Sequence, residues 1–229
     1  MQHSLTMSKV ASILDRPVYT FPEVDRLLGL HSGTSRRWVD GYVRGAKHYP
    51  PVVRAESTGS EVVTWGEFVE TRLLSEYRNT GVPMLRMRPA VDILRREFGP
   101  YPLARSKPFT DSRDLILMVQ DESALDRRMR FVVVRTGQIV LSEEMARYLD
   151  HVSFDDHDAP TAVHPLGNEA SVAIDPLVRG GAPMVNGVPT EVLASLHRGG
   201  DSIADLARWY DLSEADVGAA ITYEKTLAA

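Results

Sequence analysis

The sequence predicts a mainly α-helical fold with small β elements, and three observations lead to that prediction. A helical pattern, a glycine turn and a second helical pattern lie within residues 19–38. Turn-rich and strand-like segments fill residues 101–170, and helical patterns return over residues 171–229. We therefore predict a winged helix-turn-helix over residues 1–100, a small α/β middle segment with a linker, and a carboxy-terminal three-helix domain with helix-turn-helix spacing.

Residues 19–38 read YTFPEVDRLLGLHSGTSRRW and predict two short helices around a tight turn. Thr20, followed by a proline two positions later, is typical of a helix start, and Gly29 supplies the turn. The second helix is predicted to begin near Ser32 with Trp38 facing inward, which leaves polar side chains on an outer face that fits the major groove of DNA. The candidate DNA-binding residues of this segment are Ser32, Thr34, Ser35, Arg36 and Arg37.

The motifs Y-T-x-x-E-V, G-L and T-S-R-R-W in this segment resemble the opening of MerR-type winged helix-turn-helix domains. The resemblance covers roughly the first third of the chain. It implies that Arg36 is the recognition-helix arginine that meets the phosphate backbone. Gly33 stands where that family often has an arginine, so the resemblance implies a positioning contact at Arg36.

Two strand-like segments follow and predict the wing. Residues 50–54 read PPVVR, residues 55–61 form the polar turn AESTGSE, and residues 62–64 return as VVT. Lys47 and Arg54 would then approach phosphates, because cationic donors give sequence-independent affinity for DNA. An ordinary surface hairpin is the alternative interpretation of the same pattern.

Amphipathic helices are predicted over residues 66–78 and 84–98, separated by a Gly-Val-Pro break. Two interpretations stay open for the arginines of the second helix: additional phosphate contacts, or salt bridges to Asp92 and Glu97 on a solvated face. These arginines are Arg86, Arg88, Arg95 and Arg96.

Residues 99–110, GPYPLARSKPFT, are rich in turn formers and mark the boundary before the middle segment. Residues 115–119 are predicted to be a strand, and residues 131–134 and 138–141 a hairpin. Ser142 is predicted to cap a short helix, since two glutamates occupy its first turn. No catalytic spacing is found in these strands.

Charge is divided unevenly along the chain. Residues 1–107 carry 16 Lys and Arg against 11 Asp and Glu, whereas residues 108–229 carry 10 against 20. Only the basic first part suits phosphate, and the acidic remainder suits a basic protein partner or a homodimer seam.

Several classes of protein are excluded or disfavoured. The absence of cysteine excludes disulfides, thiol catalysis, cysteine-ligated zinc and the cysteine-based metal sensing of many MerR relatives. No apolar run approaches the roughly 18 residues of a membrane span, so the chain is expected to be cytoplasmic. Residues 150–158, DHVSFDDHD, fit no ligand template and predict an acidic surface loop without a metal. Phosphate-loop, nucleophile-elbow and zincin motifs do not occur, so neither enzyme activity nor a cofactor is expected.

The last part of the chain combines glycine-proline turns with three helical patterns. Thr190 is predicted to cap the first helix, Ser202 or Asp201 the second, and Ser213 with Asp216 forms a capping-box pattern for the third. Two aromatic residues near the end of the second helix are either anchors for a protein partner or part of the domain core. These candidate partner-binding residues are Trp209 and Tyr210.

The patterns D-P-L-V-x-G-G-A-P-M-V-N-G-V-P-T-E and L-H-R-G-G-D-S-I-A-D-L-A-x-W-Y-D-L-S-E-A-D-V-x-A-A-I resemble the small helical domain of one group of VapB-like antitoxins. The resemblance covers about the last quarter of the chain. It implies a type II antitoxin that neutralises a PIN-domain ribonuclease toxin by protein contact. Binding to the operator DNA of its own operon as a repressor, and as a homodimer, is expected. Two alternatives remain: a MerR-like regulator responding to a small ligand, and an adaptor that does not bind DNA.

Overall fold

The computed structural model describes residues 12–81 and 83–228. The predicted amino-terminal domain therefore includes residues outside that range, namely 1–11 and 82, and the carboxy-terminal domain includes residue 229. The mainly α-helical fold with small β elements is confirmed.

The predicted helix-turn-helix is present. Strand β1 (Pro17–Thr20) leads into α1 (Phe21–Leu27), and α2 (Thr34–Val39) follows the turn. The second helix begins two residues after the predicted start because Gly33, at φ +74°, serves as its N-cap. The carboxylate of Asp25 accepts hydrogen bonds from the Gly33 amide at 2.6 Å and the Ser35 amide at 2.8 Å. One buried side chain of α1 thus fixes the start of α2.

The predicted pairing of residues 50–54 with residues 62–64 is wrong. The hairpin lies earlier, between β2 (Tyr42–Arg44) and β3 (Lys47–Tyr49). Strand β4 (Val62–Thr64) instead pairs antiparallel with β1. Two prolines begin the 50–54 segment, and both valine amides that follow donate to the Trp38 carbonyl, at 2.8 and 3.0 Å. Those donors are therefore taken by the end of α2 and cannot form a strand ladder.

Helix α3 (Trp65–Glu76) is the central element of a large core, to which α4 (Arg88–Phe98) contributes Ala90, Val91 and Leu94. The buried side chains of this core form one cluster, whose first member is Leu14 and whose last is Ile174. It therefore includes side chains from both the first and the middle predicted segments. Helices α5 (Lys107–Asp111) and α6 (Arg113–Glu122) complete this side of it.

The predicted strand at residues 115–119 is wrong, because these residues belong to α6. Ile116, Val119 and Gln120 are buried on one face, at the spacing of a helix. The hairpin prediction is confirmed by β5 (Val132–Arg135) and β6 (Gln138–Leu141). The Ser142 cap is also confirmed, since its hydroxyl accepts from the Met145 amide at the start of α7 (Glu143–Asp150).

A five-stranded antiparallel sheet joins the middle and last parts of the chain in the order β11-β10-β9-β8-β7. Its strands are β7 (Val152–Phe154), β8 (Pro160–Val163), β9 (Val172–Ile174), β10 (Pro183–Val185) and β11 (Val188–Pro189). The expected acidic surface loop is only partly correct, because Asp158 is buried and accepts from the amides of Ser106 and Lys107.

Three helices form a second core around Leu193, Leu206 and Val217. They are α8 (Thr190–Arg198), α9 (Ile203–Tyr210) and α10 (Glu214–Leu227). The Ser202 cap and the Ser213 capping box are confirmed. The Thr190 cap is wrong: Thr190 is the first residue of α8, and its hydroxyl donates to Glu224 of α10.

Candidate DNA-binding surface

Four of the predicted DNA-binding residues lie at or near the start of α2 and are at least partly accessible to solvent. Ser32 and Arg37 are exposed, and Thr34 and Arg36 are half-buried. Arg37 donates to the Thr34 hydroxyl at 2.9 Å, which holds the two side chains together. This helix end can offer hydroxyls and guanidinium groups to a phosphate backbone.

Ser35 does not belong to this surface, and its predicted DNA contact is corrected. It is fully buried, and its hydroxyl donates to the Phe21 carbonyl at 3.0 Å. Ser35 therefore joins α2 to α1 from the inside.

The predicted phosphate contact of Arg54 is also corrected. Its side chain is only 8% exposed, and it forms ion pairs with Asp40 and Glu67, at 2.7 and 2.6 Å. It also donates to the Val62 carbonyl at 2.8 Å. A guanidinium with these partners has no free face for a phosphate, so Arg54 is a structural residue.

The buried ion cluster of Asp40, Arg54 and Glu67 controls the shape of the segment after β3. Burial alone would raise the pKa of Asp40, but hydrogen bonds from the 57–59 loop and from Arg54 outweigh it and hold that pKa at about 2. Glu67 also accepts from the amide of Thr64, the N-cap of α3, and so completes the capping box of that helix. The cluster thus ties α2, the loop and α3 together.

The β2–β3 hairpin adds an exposed basic tip directly after α2. Arg44 and Lys47 are exposed, lie opposite each other across the strands and have no ion-pair partner within the described part of the chain. The stacked rings of Tyr42 and Tyr49, 4.5 Å apart, brace its base. Like charges placed directly opposite destabilise a hairpin, and an anionic partner removes that cost.

Lys47, which was predicted to approach phosphates, thus lies on an exposed hairpin that differs from the predicted one, and Arg44 was missed. The sequence signal that could have found Arg44 is R-G-A-K, a glycine turn between two cations.

The open question about the arginines of α4 is resolved for two of them. Arg88 and Arg95 both pair with Asp92, at 3.3 and 2.8 Å. They also donate to carbonyls of the 51–55 segment. Both guanidinium groups therefore fix the backbone of residues 51–55, which follows the helix-turn-helix.

The two predicted partner-binding residues lie in different environments. Trp209 is 58% exposed at the end of α9, whereas Tyr210 is half-buried against the second core. The exposed indole belongs to an acidic domain, since residues 186–229 carry seven acidic and three basic residues. Trp209 is available as an anchor for another protein.

The amino-terminal part of the chain is joined to the middle and last parts by two buried hydrogen bonds. The Tyr19 hydroxyl donates to the Gly181 carbonyl at 2.6 Å, and the Trp65 indole donates to the Pro160 carbonyl at 2.7 Å. A methyl group at Gly181 would lie 2.3 Å from the Tyr19 hydroxyl oxygen, so glycine is required for this approach.

No cluster of three or more His, Cys, Asp or Glu side chains within residues 12–81 and 83–228 could hold a metal ion. Among the helices formed by those same residues, none has the length and apolar character needed to cross a bilayer.

Comparisons with known proteins place the chain in a family. The chain is 39% identical over 227 residues to the uncharacterized protein Rv2308 of Mycobacterium tuberculosis, covering 94% of this chain and 93% of that protein. It is 32% identical over 187 residues to a protein named "Putative antitoxin VapB45" of the same organism, covering 76% of this chain and 78% of the relative. The chain belongs to the VapB-like antitoxin family.

Both ends of this VapB-like chain match family models. Residues 17–91 match a "Putative DNA-binding HTH domain", and residues 172–223 match a "Protein of unknown function (DUF433)". The crystal structure of Rv2018 from Mycobacterium tuberculosis has a similar fold, with a TM-score of 0.74 and 27% sequence identity over 92% of this chain and all of that chain. The similarity of fold therefore extends over most of the chain.

Proposed function

We propose that the chain is the antitoxin of a type II toxin–antitoxin system. It binds the operator of its own operon as a repressor through α2 and the β2–β3 hairpin, and it neutralises a PIN-domain ribonuclease toxin through its acidic carboxy-terminal domain. A homodimer is part of this proposal, because two copies of α2 can reach two half-sites; light scattering on the purified protein measures its mass. A cytoplasmic location follows from these partners.

The two solvent-accessible guanidinium groups on α2 are the observation that supports the proposed DNA binding. Arg36 and Arg37 project from a helix whose start is fixed by Asp25 and whose inner face is held by Ser35. The basic hairpin that follows α2 then serves as the wing. Phosphate contacts from such residues fix register without reading bases.

Replacing both Arg36 and Arg37 by alanine is expected to weaken binding to the DNA upstream of the gene by roughly tenfold or more. The salt dependence of log K should also become shallower by about 2, because two phosphate contacts are lost. Fluorescence anisotropy over a salt series measures both quantities.

The matched control is the double variant Arg135→Ala, Arg208→Ala, which removes two other exposed arginines from the middle hairpin and α9. It should bind DNA as the unaltered protein does. If the two double variants behave alike, the α2 surface is not the DNA contact and a protein adaptor without DNA binding becomes the better function.

The exposed indole on α9 supports the protein-binding half. Trp209→Ala is expected to weaken binding to the PIN-domain protein encoded beside the gene by about tenfold to a hundredfold, since exposed tryptophans are frequent interface anchors. Calorimetric titration of the purified partners measures this loss. Met118→Ala, which removes an equally exposed apolar side chain from α6, is the control; equal affinities for both variants would exclude Trp209 from the interface.

A regulator responding to a small ligand is the second candidate function. The observation that favours it is a cleft of about 410 Å³ between the helix-turn-helix and α10, lined by Arg72, Arg78 and Arg147. DNA affinity that changes with a metabolite, in a protein that does not bind the neighbouring toxin, would favour this function over the antitoxin.

A further inference from the structure

The guanidinium of Arg36, to which we assign a DNA phosphate, already binds a carboxylate of the protein itself. Arg36 forms an ion pair with Glu61, which lies just before β4. Both side chains are solvent-accessible, at 44% and 64% exposure. The guanidinium carbon also lies 4.8 Å from the centre of the Phe21 ring, so its other side rests on the start of α1.

The buried ion cluster of Asp40, Arg54 and Glu67 holds the backbone on both sides of Glu61. Arg54 donates to the carbonyls on both sides of it, at 3.3 Å to Ser60 and 2.8 Å to Val62. The amides of Thr58 and Gly59 donate to Asp40, at 2.7 and 3.0 Å. Buried side chains therefore fix the backbone around Glu61, while its own side chain reaches Arg36 of α2.

We propose that Glu61 limits the affinity for DNA by acting as an internal substitute for a phosphate. In the free protein its carboxylate takes the place at Arg36 that a backbone phosphate oxygen takes in the complex. This inference rests on the proposed binding of DNA through α2, and it adds a residue that opposes that binding.

The competition follows from charge and geometry. A guanidinium pairs with a carboxylate and with a phosphate through the same donors, so one anion must leave before the other binds. An exposed ion pair contributes little to folding, which keeps the exchange possible. After the exchange, the anchored carboxylate still lies near the phosphate and repels it.

Glu61→Gln is expected to bind the upstream DNA about three- to tenfold more tightly than the unaltered protein at low salt, with the gain shrinking as salt rises. Anisotropy titrations with the upstream fragment and with a random duplex of equal length measure this effect. Thermal unfolding of the variant should change little, because the pair is exposed.

Glu56→Gln is the matched control, because Glu56 is exposed on the same loop and has no ion pair within the described residues. It removes the same charge without touching Arg36. Glu61→Gln in an Arg36→Ala background supplies the second control. There it should gain no more affinity than Glu56→Gln does, since the guanidinium for which the two anions compete is gone.

The outcomes separate this inference from the proposed function. If Glu61→Gln binds DNA no better than Glu56→Gln, or binds less tightly than the unaltered protein, Glu61 does not compete and the inference is overturned. A gain of equal size in the Arg36→Ala background would also overturn it. If neither the arginine variants nor the glutamate variants change DNA binding, the proposed function itself fails and this inference fails with it.

Discussion

Replacing Arg54 by alanine is expected to lower the free energy of unfolding by about 3–5 kcal/mol, because it leaves two buried carboxylates without a cation. The side chains of Asp40 and Glu67 are 7% and 9% exposed, so both carboxylates are largely removed from solvent in the folded protein. Chemical denaturation at neutral pH, followed by tryptophan fluorescence, measures the loss.

Two comparisons make this expectation specific. Arg54→Lys keeps the charge but not the fork of donors that reaches both carboxylates, so it should fall between alanine and the natural residue. Arg128→Ala removes an arginine whose ion pair with Asp126 is exposed, and it should cost less than about 1 kcal/mol. An equal cost for Arg54→Ala and Arg128→Ala would contradict the view that the cluster is buried and structural.

A second large effect is expected at Glu70, which lies on α3 and is 1% exposed. Burial raises the pKa of Glu70 from its ordinary value of 4.5 to about 8, against a hydrogen bond from the Leu103 amide and the charge of Arg95, which lower it. Its second carboxyl oxygen has no partner within the described residues. The folded protein therefore holds this side chain protonated at neutral pH.

The sign of the resulting pH dependence is fixed by that pKa. Below pH 4.5 the side chain is protonated in both the folded and the unfolded chain, so the contribution of Glu70 to stability is fully present. As the pH rises towards 8, only the unfolded chain releases the proton, and stability falls by up to about 1.4 kcal/mol per pH unit. Glu70→Gln removes this pH-dependent contribution to the free energy of unfolding.

The free energy of unfolding of Glu70→Gln, minus that of the unaltered protein, is therefore expected to increase by a few kcal/mol between about pH 5 and pH 8. Urea unfolding at several pH values measures the difference, in which the other titrating groups cancel. Glu97→Gln removes an exposed carboxyl from α4 and is the control. A difference that stays constant with pH would show that Glu70 is ionised in the folded state.

Local signals predicted the helix-turn-helix and most helix starts well. Gly29 and Gly33 adopt positive φ, as tight turns between short helices require. Ser142, Ser202 and Ser213 cap their helices as expected, because a cap depends on side chains and amides only two or three residues apart. Interactions this short are fully encoded in the local sequence.

The errors arose where distant contacts decide. Residues 115–119 are apolar enough for a strand, but neighbouring α4 and the β5–β6 hairpin offer a surface for one helical face. The predicted wing failed because the amides of Val52 and Val53 bond to Trp38, a partner more than ten residues away. A sequence pattern gives no information about which acceptor a backbone amide will find.

By itself the sequence determined the two family patterns, the division of charge and the presence of an arginine-bearing second helix. Only the tertiary structure decided which arginines are free to meet DNA. Arg36 and Arg54 carry the same guanidinium in the same basic region, yet one lies at the surface beside Glu61 and the other is enclosed by Asp40 and Glu67. The physical reason is that charge belongs to the residue, whereas desolvation and pairing depend on neighbours that folding brings from distant parts of the chain.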